Sequence, residues 1–496
     1  MLPKWTVLCV SVGILLRIAF AEKAANTELR DDARDMFEPR LAITVSAKHH
    51  RVEVSWYYSH YEEGDVIVLT DEDPVGGFRL RNSATTTPVE IPREGSGFSD
   101  GGGSGSGNGE LLEPNFLSVL PLFDPVSSYE DLNERSRRAR SNINWLYGPH
   151  SKEVLIELFP QSKQGWVTTD IIFDRTLPKR VTKNTSCYGY WATIIRKTGR
   201  TVMTRCMRAF PTWMNDLRGK IENLRFKDLF IPGTHDSASY MDNFHPHNET
   251  VVTKYSLTQD DDIRTQLMHG IRYLDIRVGY YRASKQFWAN HGISRQHPLR
   301  EILQQIKDFV LETNELVIVD IQEFPVGFGK SKDIHRLLVN FLHRELGDVL
   351  VDPDITWRGN LKQIWASKRN VVLAYDKSSI VYEFGSIVFE SVEQKWPNKQ
   401  SLDDLRRYMT FSRNQMQGSF GSRPWAEMAE LTPSAWGVIT DLYGGLRRMA
   451  DDVNRHVSRW YASDFGMGAN VVALDFYRGT TIIETALRWN SIKTVT

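Results

Sequence analysis

The stretch LFIPGTHDSASY, residues 229–240, joins a short apolar run to a cluster of polar residues. The run reads as a buried strand, and it breaks at a Pro-Gly pair. Proline cannot donate to a sheet ladder and glycine weakens a strand interior, so the pair marks the place where the strand stops. His235 and Asp236 follow at once. The pattern predicts a strand that ends so that these two side chains project from its C-terminal end.

Outward from this stretch, strand-like runs alternate with amphipathic helices over residues 224–496. The runs lie at residues 229–231, 271–281, 287–293, 315–324, 370–376, 436–443 and 470–477. In the segments 299–310 and 334–342, apolar residues recur at helical spacing on one face. Such alternation is typical of a mainly parallel sheet, and the length matches a TIM-type (β/α) barrel of about 250 residues. Seven clear runs predict that the closure is irregular.

The N-terminal half has a different rhythm. Apolar and polar residues alternate with period two at residues 52–56, 65–69, 153–159 and 190–195, which predicts an all-β sandwich over residues 22–210. A Gly/Ser-rich segment at 95–109 interrupts it, and we expect a disordered loop there. Residues 211–223 are expected to link the sandwich to the barrel of residues 224–496.

Residues 1–21 have the features of a secretory signal peptide: Lys4, a long apolar run, and the small residues Ala19 and Ala21 before a cleavage point. Arg17 within the run leaves an uncleaved anchor as an alternative. We expect a secreted protein with no transmembrane segment in the mature chain, because no later run is long enough to cross a bilayer. The 61 basic and 61 acidic residues of the 496-residue chain cancel, which disfavours nucleic acid as a partner.

Two cysteines remain after removal of the signal peptide, Cys187 and Cys206. In an exported chain they predict one disulfide, with two buried free thiols as the alternative. Acceptor triplets for N-glycosylation occur at Asn184 and Asn248, which predict a glycoprotein. The basic stretch that ends near Arg140 is either a solvated helix surface or a processing site.

Polar residues at the strand ends are the candidates for chemistry, because active sites of (β/α) barrels lie at the C-terminal ends of the strands. These candidates are His235, Asp236, Asp275, Arg277, His291, Asp320, Asp441 and Asp475. Histidine titrates near neutrality, so two histidines can hold opposite protonation states. Two histidines and an arginine suit phosphoryl transfer between oxygens: one base, one acid and one cation for the phosphate.

Four blocks carry a family resemblance: IPGTHDS, QLMHGIRYLDIRVGYY, FWANHGI and LVIVDIQEF. In this order and spacing they resemble the X domain of phosphatidylinositol-specific phospholipase C (PI-PLC), and most of all the eukaryotic X-domain proteins without the other phospholipase C modules. The N-terminal β-sandwich joined through PTWM is similar to the arrangement in secreted insect members. The resemblance implies a phosphoric diester hydrolase of lipid metabolism.

The resemblance also implies a role for each site residue. His235 matches the general base that deprotonates the inositol 2-hydroxyl, and His291 matches the general acid at the diacylglycerol oxygen. Asp236 orients the acid, and Asp475 is the candidate partner of the base. Asp275 supports Arg277, which binds the phosphate. The implied products are a 1,2-cyclic inositol phosphate and diacylglycerol.

The sequence departs from the calcium-dependent animal enzymes of this family. Where those enzymes carry Asn and two Glu residues, this chain has Asp236, Tyr273 and Gln322. Too few oxygen ligands remain for calcium, so we expect no metal and no other cofactor, with Arg277 supplying the positive charge.

The implied substrate is a phosphoinositide or GPI-type lipid at a membrane surface. An alternative function is that of a catalytically weak or inactive secreted protein, which binds lipid or glycan on a phospholipase C scaffold. Fold alone does not separate these alternatives. The intact residues His235, Asp275, Arg277 and His291 favour an active enzyme.

Overall fold

The computed structural model describes residues 40–58, 60–74, 78–80, 145–147, 154–177, 187–244, 246–417 and 421–493. The strands are β1 (Arg40–Val45), β2 (Arg51–Tyr57), β3 (Val66–Thr70), β4 (Phe78–Leu80), β5 (Trp145–Tyr147), β6 (Val154–Leu158), β7 (Gln164–Ile172), β8 (Cys187–Ile195), β9 (Thr201–Arg208), β10 (Ile231–Thr234), β11 (Tyr273–Tyr281), β12 (Gln286–His291), β13 (Ser294–Pro298), β14 (Val317–Val326), β15 (Val371–Tyr375), β16 (Phe389–Glu390), β17 (Glu393–Lys395), β18 (Trp425–Met428) and β19 (Val471–Leu474). The α-helices are α1 (Trp213–Asp216), α2 (Arg218–Ile221), α3 (Val251–Lys254), α4 (Ile263–His269), α5 (Leu299–Thr313), α6 (Asp333–Leu346), α7 (Leu361–Ala366), α8 (Ser378–Glu383), α9 (Leu402–Gln417), α10 (Ala435–Ile439), α11 (Leu446–Ala462) and α12 (Ile482–Ile492).

The N-terminal half consists of antiparallel sheets. One has the order β1-β2-β7 and another the order β6-β3-β8-β9, and both contribute side chains to a single buried apolar cluster. Alternating burial along β7 and β8 is the signature of a strand with one face on a core. The predicted disulfide is confirmed: Cys187 and Cys206 lie on the neighbouring strands β8 and β9 and are bonded, with their Cα atoms 5.6 Å apart.

The C-terminal half is built on a curled, mainly parallel sheet with the strand order β16-β15-β14-β11-β10-β19-β18-β17. Strands β12 and β13 extend it through antiparallel pairing to β11. The first and last strands of the path, β16 and β17, are separated in the chain only by residues 391 and 392. The two edges of the sheet are therefore brought together by the chain itself, which gives the sheet its curl.

One predicted strand is wrong. Residues 436–443 form the end of helix α10 and a turn, because Ser434 caps the helix by accepting a hydrogen bond from the backbone N–H of Gly437. Three apolar residues of this segment are exposed to solvent: Trp436 (71%), Ile439 (77%) and Leu442 (66%). The strand that occupies this part of the sheet is β18, which has only four residues and was not predicted.

Residues 211–223, expected to be a linker, form the short helices α1 and α2 on the barrel. Trp213 and Met214 are buried in the main apolar cluster of the C-terminal half. A buried ion pair anchors this segment: Arg272 Nη2 lies 2.7 Å from Glu315 Oε2, and the backbone N–H of Met214 donates to the same carboxylate. The chain therefore enters the C-terminal half through a packed connection. The sheet of that half is a curled half-barrel, because its edge strands β16 and β17 are not paired with each other, so a complete TIM-type barrel is not shown.

The two halves contact each other through polar side chains. Ser46 donates to the Asp451 carboxylate at 2.7 Å, and Arg455 pairs with both Glu53 and Asp451. These contacts join strand β2 and the turn before it to helix α11.

No helix in the described ranges has the length and apolar character required to span a membrane. The predicted signal peptide at residues 1–21, the Gly/Ser segment 95–109, Arg140 and Asn184 lie outside the described residues. Asn248 lies within them and is exposed.

Candidate active site

Strands β10 and β11 place the first group of predicted site residues. His235 and Asp236 directly follow β10, and Asp236 adopts a left-handed backbone conformation with φ of 37°. Its N–H donates to Oδ2 of Asp275 at 3.0 Å, a bond that offsets part of the cost of this conformation. Asp275 and Arg277 are separated by one residue on β11, so their side chains lie on the same face of the sheet.

The ring of His235 lies between the carboxylate of Asp475 and the guanidinium of Arg277. Its Nδ1 is 2.8 Å from Oδ1 of Asp475, which follows β19, the strand paired with β10. Its Nε2 is 2.7 Å from Nη2 of Arg277. A guanidinium only donates hydrogen bonds, so Nε2 is the acceptor and Nδ1 carries the proton that is donated to Asp475. The ring is a neutral imidazole whose basic nitrogen faces Arg277.

His291 reaches the same site from the end of β12. Its ring centroid lies 6.4 Å from that of His235, with the two planes at 89°. Its Nδ1 lies 3.1 Å from the carbonyl oxygen of Ser256, to which it donates, and its Nε2 lies 4.0 Å from Oδ2 of Asp236. The structure therefore brings the second predicted histidine and its predicted acidic partner together with the first.

Arg277 is the centre of charge in the site. Its guanidinium lies 3.4 Å from Asp275 and 3.8 Å from Asp236, and Glu323 lies 3.5 Å away at a more exposed position. Trp396 lies beside it, with the guanidinium carbon 5.2 Å from the ring centroid. Burial opposes the charged form, but the neighbouring carboxylates outweigh it and raise the pKa of Arg277. The guanidinium stays cationic.

These residues open onto one cavity of about 250 Å³. Its polar lining consists of His235, Arg277, His291, Glu430, Thr432 and Asp475. Tyr255, Trp396 and Val438 contribute apolar surface. The cavity is large enough for a phosphorylated ring and too small for two acyl chains.

Burial dominates the electrostatics of the site. Burial, and then the charge of Arg277, lower the pKa of both His235 and His291 below the ordinary value of 6.5. Burial raises the pKa of Asp475 to about 8. Burial and the nearby Asp475 raise the pKa of Glu430 well above its ordinary range. Both histidines are therefore neutral at neutral pH when the cavity is empty of anions.

The sequence was compared with those of known proteins. No protein-family model matches the chain. Human PI-PLC X domain-containing protein 1 is 27% identical over 229 residues, which cover 41% of this chain and 68% of the human protein. The variant-surface-glycoprotein phospholipase C of Trypanosoma brucei brucei is 23% identical over 291 residues, covering 50% of this chain and 80% of that protein. The chain is similar to PI-PLC X-domain proteins.

The chain also matches a solved structure of another protein. It is a phosphatidylinositol-specific phospholipase C from Staphylococcus aureus, with a TM-score of 0.46 and 14% sequence identity. The match covers 57% of this chain and 98% of the bacterial chain.

Two predicted strand-end carboxylates lie apart from the candidate active site. Asp441 is on the surface, where its carboxylate accepts from Lys254 at 2.7 Å and from Tyr255 at 2.9 Å. Asp320 is buried beneath the site and accepts hydrogen bonds from Tyr273 and Gln322. Its role is to satisfy buried donors between neighbouring strands.

Sequence reasoning missed three residues that line the cavity: Trp396, Glu430 and Thr432. Trp396 directly follows β17, and Glu430 and Thr432 follow β18. The strand-end rule applies to all of them, but strands of three and four residues give too short an alternating pattern to be recognised.

A metal-compatible arrangement exists beside the base. The ligand atoms of His235, Glu430 and Asp475 all lie within 4.8 Å of one another. The bond between His235 Nδ1 and Asp475 Oδ1 already satisfies one nitrogen and one oxygen of this group. Calcium takes six to eight oxygen ligands, and only two carboxylates are present, so the group fits calcium poorly.

Proposed function

We propose that this chain is a phosphodiesterase which cleaves phosphatidylinositol-type lipids by acid and base catalysis from two histidines. The products are a 1,2-cyclic inositol phosphate and diacylglycerol. The observation that carries the proposal is the position of His235 and His291 on one cavity, with ring centroids 6.4 Å apart and Arg277 bonded to the first. Proton transfer by each histidine contributes about 10²–10⁴-fold in rate.

In the transfer, Nε2 of His235 takes the proton of the inositol 2-hydroxyl while that oxygen forms a bond to phosphorus. The bond from phosphorus to the diacylglycerol oxygen breaks, and its electron pair stays on that oxygen. Nε2 of His291 supplies the proton that makes diacylglycerol a neutral alcohol. A cyclic phosphodiester anion remains, so charge and protons balance.

Arg277 has two tasks in this scheme. Before substrate binds, Nη2 of Arg277 donates a hydrogen bond to the basic nitrogen of His235, Nε2, at 2.7 Å. A phosphodiester anion is a stronger acceptor than a neutral imidazole, because charge-assisted hydrogen bonds are about twice as strong as neutral ones. The guanidinium therefore turns to the phosphate oxygens, and this frees Nε2 for the 2-hydroxyl. Phosphate binding and release of the base are one event.

His291 needs a proton before it can act as the acid, although burial and Arg277 lower its pKa. The bound phosphate supplies a negative charge next to this ring, and an opposite charge within about 4–6 Å favours the protonated form. Asp236 lies 4.0 Å from the same nitrogen. Substrate binding therefore raises the pKa of His291, so that this ring is protonated when the substrate is in place.

The surface around the cavity carries exposed apolar residues that suit binding to a lipid bilayer. Val251 and Val252 of α3 are 75% and 69% exposed, and Trp436, Ile439 and Leu442 are 71%, 77% and 66% exposed. We call these five residues the apolar rim. The bonds of Asp441 to Lys254 and Tyr255 hold its two segments side by side, and Tyr255 and Val438 of the same segments line the cavity. An apolar rim with a tryptophan, next to the cavity, fits a membrane interface.

We further propose that the reaction needs no metal ion. Arg277 supplies the positive charge at the phosphate, and the carboxylates nearest to it are already engaged with it or with His235.

The test is incubation of the purified full-length protein with labelled phosphatidylinositol and, separately, with a GPI-anchored protein, in the presence of a chelator. The proposal expects a cyclic inositol phosphate from at least one of them, and none from a His235→Ala, His291→Ala double variant. Binding of the vesicles without any product would favour the alternative of a lipid-binding protein on a phospholipase scaffold.

A further inference from the structure

One buried side chain bridges the backbone of the base and that of its carboxylate partner. Gln259 lies in the segment between α3 and α4 and is 0% exposed. Its Nε2 donates to the carbonyl oxygen of His235 at 2.9 Å and to that of Leu474 at 2.8 Å. Leu474 directly precedes Asp475. The amide of Gln259 therefore joins the ends of β10 and β19, the two strands that carry the hydrogen-bonded pair His235–Asp475.

Both strand ends have a strained backbone beside the site residue. Asp236, after His235, has φ of 37°, and Phe476, after Asp475, has φ of 46°. Residues other than glycine rarely adopt this left-handed region, and they persist in it only where the surroundings hold them.

Thr258 holds both of these turns. Its Oγ1 donates to the carbonyl oxygen of Asp236 at 2.9 Å, and its own carbonyl oxygen accepts from the backbone N–H of Phe476 at 2.8 Å. The carbonyl oxygen of Ser256 accepts from Nδ1 of His291. We call residues 256–259 the clamp segment, because its hydrogen bonds reach the backbone on both sides of the base and the ring of the acid.

The clamp segment is itself anchored on the side away from the cavity. Asp260 forms an ion pair with Arg447 of α11 at 2.6 Å. Asp261 accepts a hydrogen bond from the hydroxyl of Tyr477 at 2.7 Å. The segment is therefore a fixed support for the two strand ends that it contacts.

The chemistry of Gln259 favours a role in positioning. Only the nitrogen of the amide donates, so the two carbonyl oxygens that face it fix its orientation. Its Oε1 is buried and has no hydrogen-bond partner among the described residues. An unsatisfied buried acceptor costs stability, and an apolar side chain at this position would avoid that cost. The two donated bonds are what the polar side chain contributes in return.

We propose that Gln259 is a positioning residue, which holds the backbone of His235 and Leu474 so that the imidazole stays aligned with the Asp475 carboxylate. This inference rests on the proposed function, which makes His235 the base. Gln259 is not among the residues that line the cavity, so it acts through His235 and touches no reacting atom.

The first measurement needs no substrate. In the full-length protein, the proton on Nδ1 of His235 is shared with a carboxylate and should give a far-downfield NMR resonance, which His235→Ala removes. Gln259→Met keeps the length of the side chain and removes both donated bonds, so it should shift or broaden this resonance. Gln259→Asn keeps the amide but is one methylene too short to reach both carbonyls, and it should act in the same direction.

Asn470→Leu is the matched control. Asn470 is also a buried amide, and its Nδ2 donates to the carbonyl oxygens of Phe226 and Leu229. These bonds join the opposite ends of the same two strands, before β10 and before β19. The control therefore loses two comparable bonds but should keep the downfield resonance of the wild type.

Turnover of a soluble inositol phosphodiester gives the second readout. Gln259→Met should lower kcat about 10²-fold, the effect of a misplacement of about 1 Å, and leave KM nearly unchanged. In the His235→Ala background the same substitution should cause no further loss, because there is no base left to misalign. A merely structural defect would lower activity in both backgrounds. Circular dichroism and thermal unfolding show which variants are folded, and if Gln259→Met is not, Gln259→Asn decides.

Each outcome decides the inference. A wild-type resonance and a wild-type kcat in the folded Gln259 variants overturn it. An equal further loss in the His235→Ala background, or the same change of resonance in Asn470→Leu, also overturns it, in favour of a general loosening of the C-terminal half. If the resonance changes in the Gln259 variants alone but the wild type cleaves no phosphodiester, the positioning of His235 stands and the proposed catalytic function fails.

Discussion

Nη2 of Arg277 lies 2.7 Å from Nε2 of His235, the nitrogen that the proposed reaction uses as its base. The guanidinium has no acceptor, so this contact fixes the tautomer of His235 as well as its orientation. It also places a positive charge against the ring, which disfavours protonation. This one contact therefore selects the tautomer of His235 that can act as a base, and it keeps Nε2 hydrogen-bonded until a phosphate binds Arg277.

The pH dependence follows from the direction of both histidine shifts. Burial and Arg277 lower the pKa of His235 and of His291 below 6.5 in the free protein. The base must be deprotonated, so kcat/KM rises as pH passes its pKa, and the acid must be protonated, so kcat/KM falls as pH passes its own. Because kcat/KM reports groups of the free enzyme, its maximum should lie below pH 6.5. Bound phosphate moves the alkaline limb of kcat upward.

Rate profiles on a soluble inositol phosphodiester measure both limbs. The charge of Arg277 is tested separately by NMR titration of the histidine ring protons in Arg277→Gln, where the pKa of His235 should be higher than in wild type. A kcat/KM maximum well above pH 6.5, or an unchanged His235 titration in that variant, contradicts this account of the electrostatics.

Removal of metal ions should leave activity intact. Arg277 supplies the charge that a cation would supply, and the oxygen ligands that calcium needs are too few. Turnover measured before and after dialysis against a calcium chelator should agree. Loss of activity on dialysis, restored by calcium, would assign His235, Glu430 and Asp475 to a metal site and refute the role given to Arg277.

The apolar rim should govern binding to membranes without changing the chemistry. Trp436→Ser and Ile439→Ser remove exposed apolar area, so binding to phosphatidylinositol-containing vesicles should weaken by at least about 10-fold for the pair. At roughly 25 cal/mol per Å², a loss of only about 60 Å² of buried apolar surface corresponds to that factor. Cleavage of a soluble inositol phosphodiester should stay as in wild type. Leu311→Ser, 63% exposed near the far end of α5, is the matched control. Equal vesicle binding by all variants would show that the apolar rim does not contribute to membrane binding.

The buried pair Arg272–Glu315 should be a main support of the fold. Both side chains are almost fully buried, and Glu315 also holds the backbone of the segment that enters the barrel. Glu315→Ala leaves a buried cation unpaired and should lower the free energy of unfolding by about 3–5 kcal/mol. The exposed pair Asp333–Arg336 is the control, and Asp333→Ala should leave the free energy of unfolding close to that of the wild type. Chemical denaturation measures both, and similar values would contradict the assignment.

The strand-end rule explains why much of the site was predictable. His235 and Asp475 lie beside each other although they are far apart in sequence, because both follow parallel strands that pair directly. The rule needs only the strands to be recognised, and the apolar runs before these two residues are unambiguous. His291, at the end of β12, was predicted from its strand-end position together with the family resemblance, although β12 pairs antiparallel with β11.

The rule failed where local sequence misled it. Residues 436–443 contain β-branched and aromatic residues, but Ser434 caps a helix there, and Trp436, Ile439 and Leu442 are exposed to solvent. A single sequence gives no sign that these residues are exposed, because apolar residues are predicted to be buried wherever they lie. β18 was missed for the opposite reason: four residues are too few to establish a period, and Glu430 was lost with it.

The central claim is that His235 and His291 act as base and acid on one phosphodiester. The most direct measurement compares His235→Ala and His291→Ala on phosphatidylinositol and on a 4-nitrophenyl ester of inositol phosphate, whose leaving group needs no proton. Both variants should lose at least about 10³-fold on the lipid, within the range for a positioned acid or base. On the nitrophenyl ester, His291→Ala should recover most of its rate and His235→Ala should not. Wild-type turnover of the lipid by either variant, or equal recovery by both, would contradict the claim.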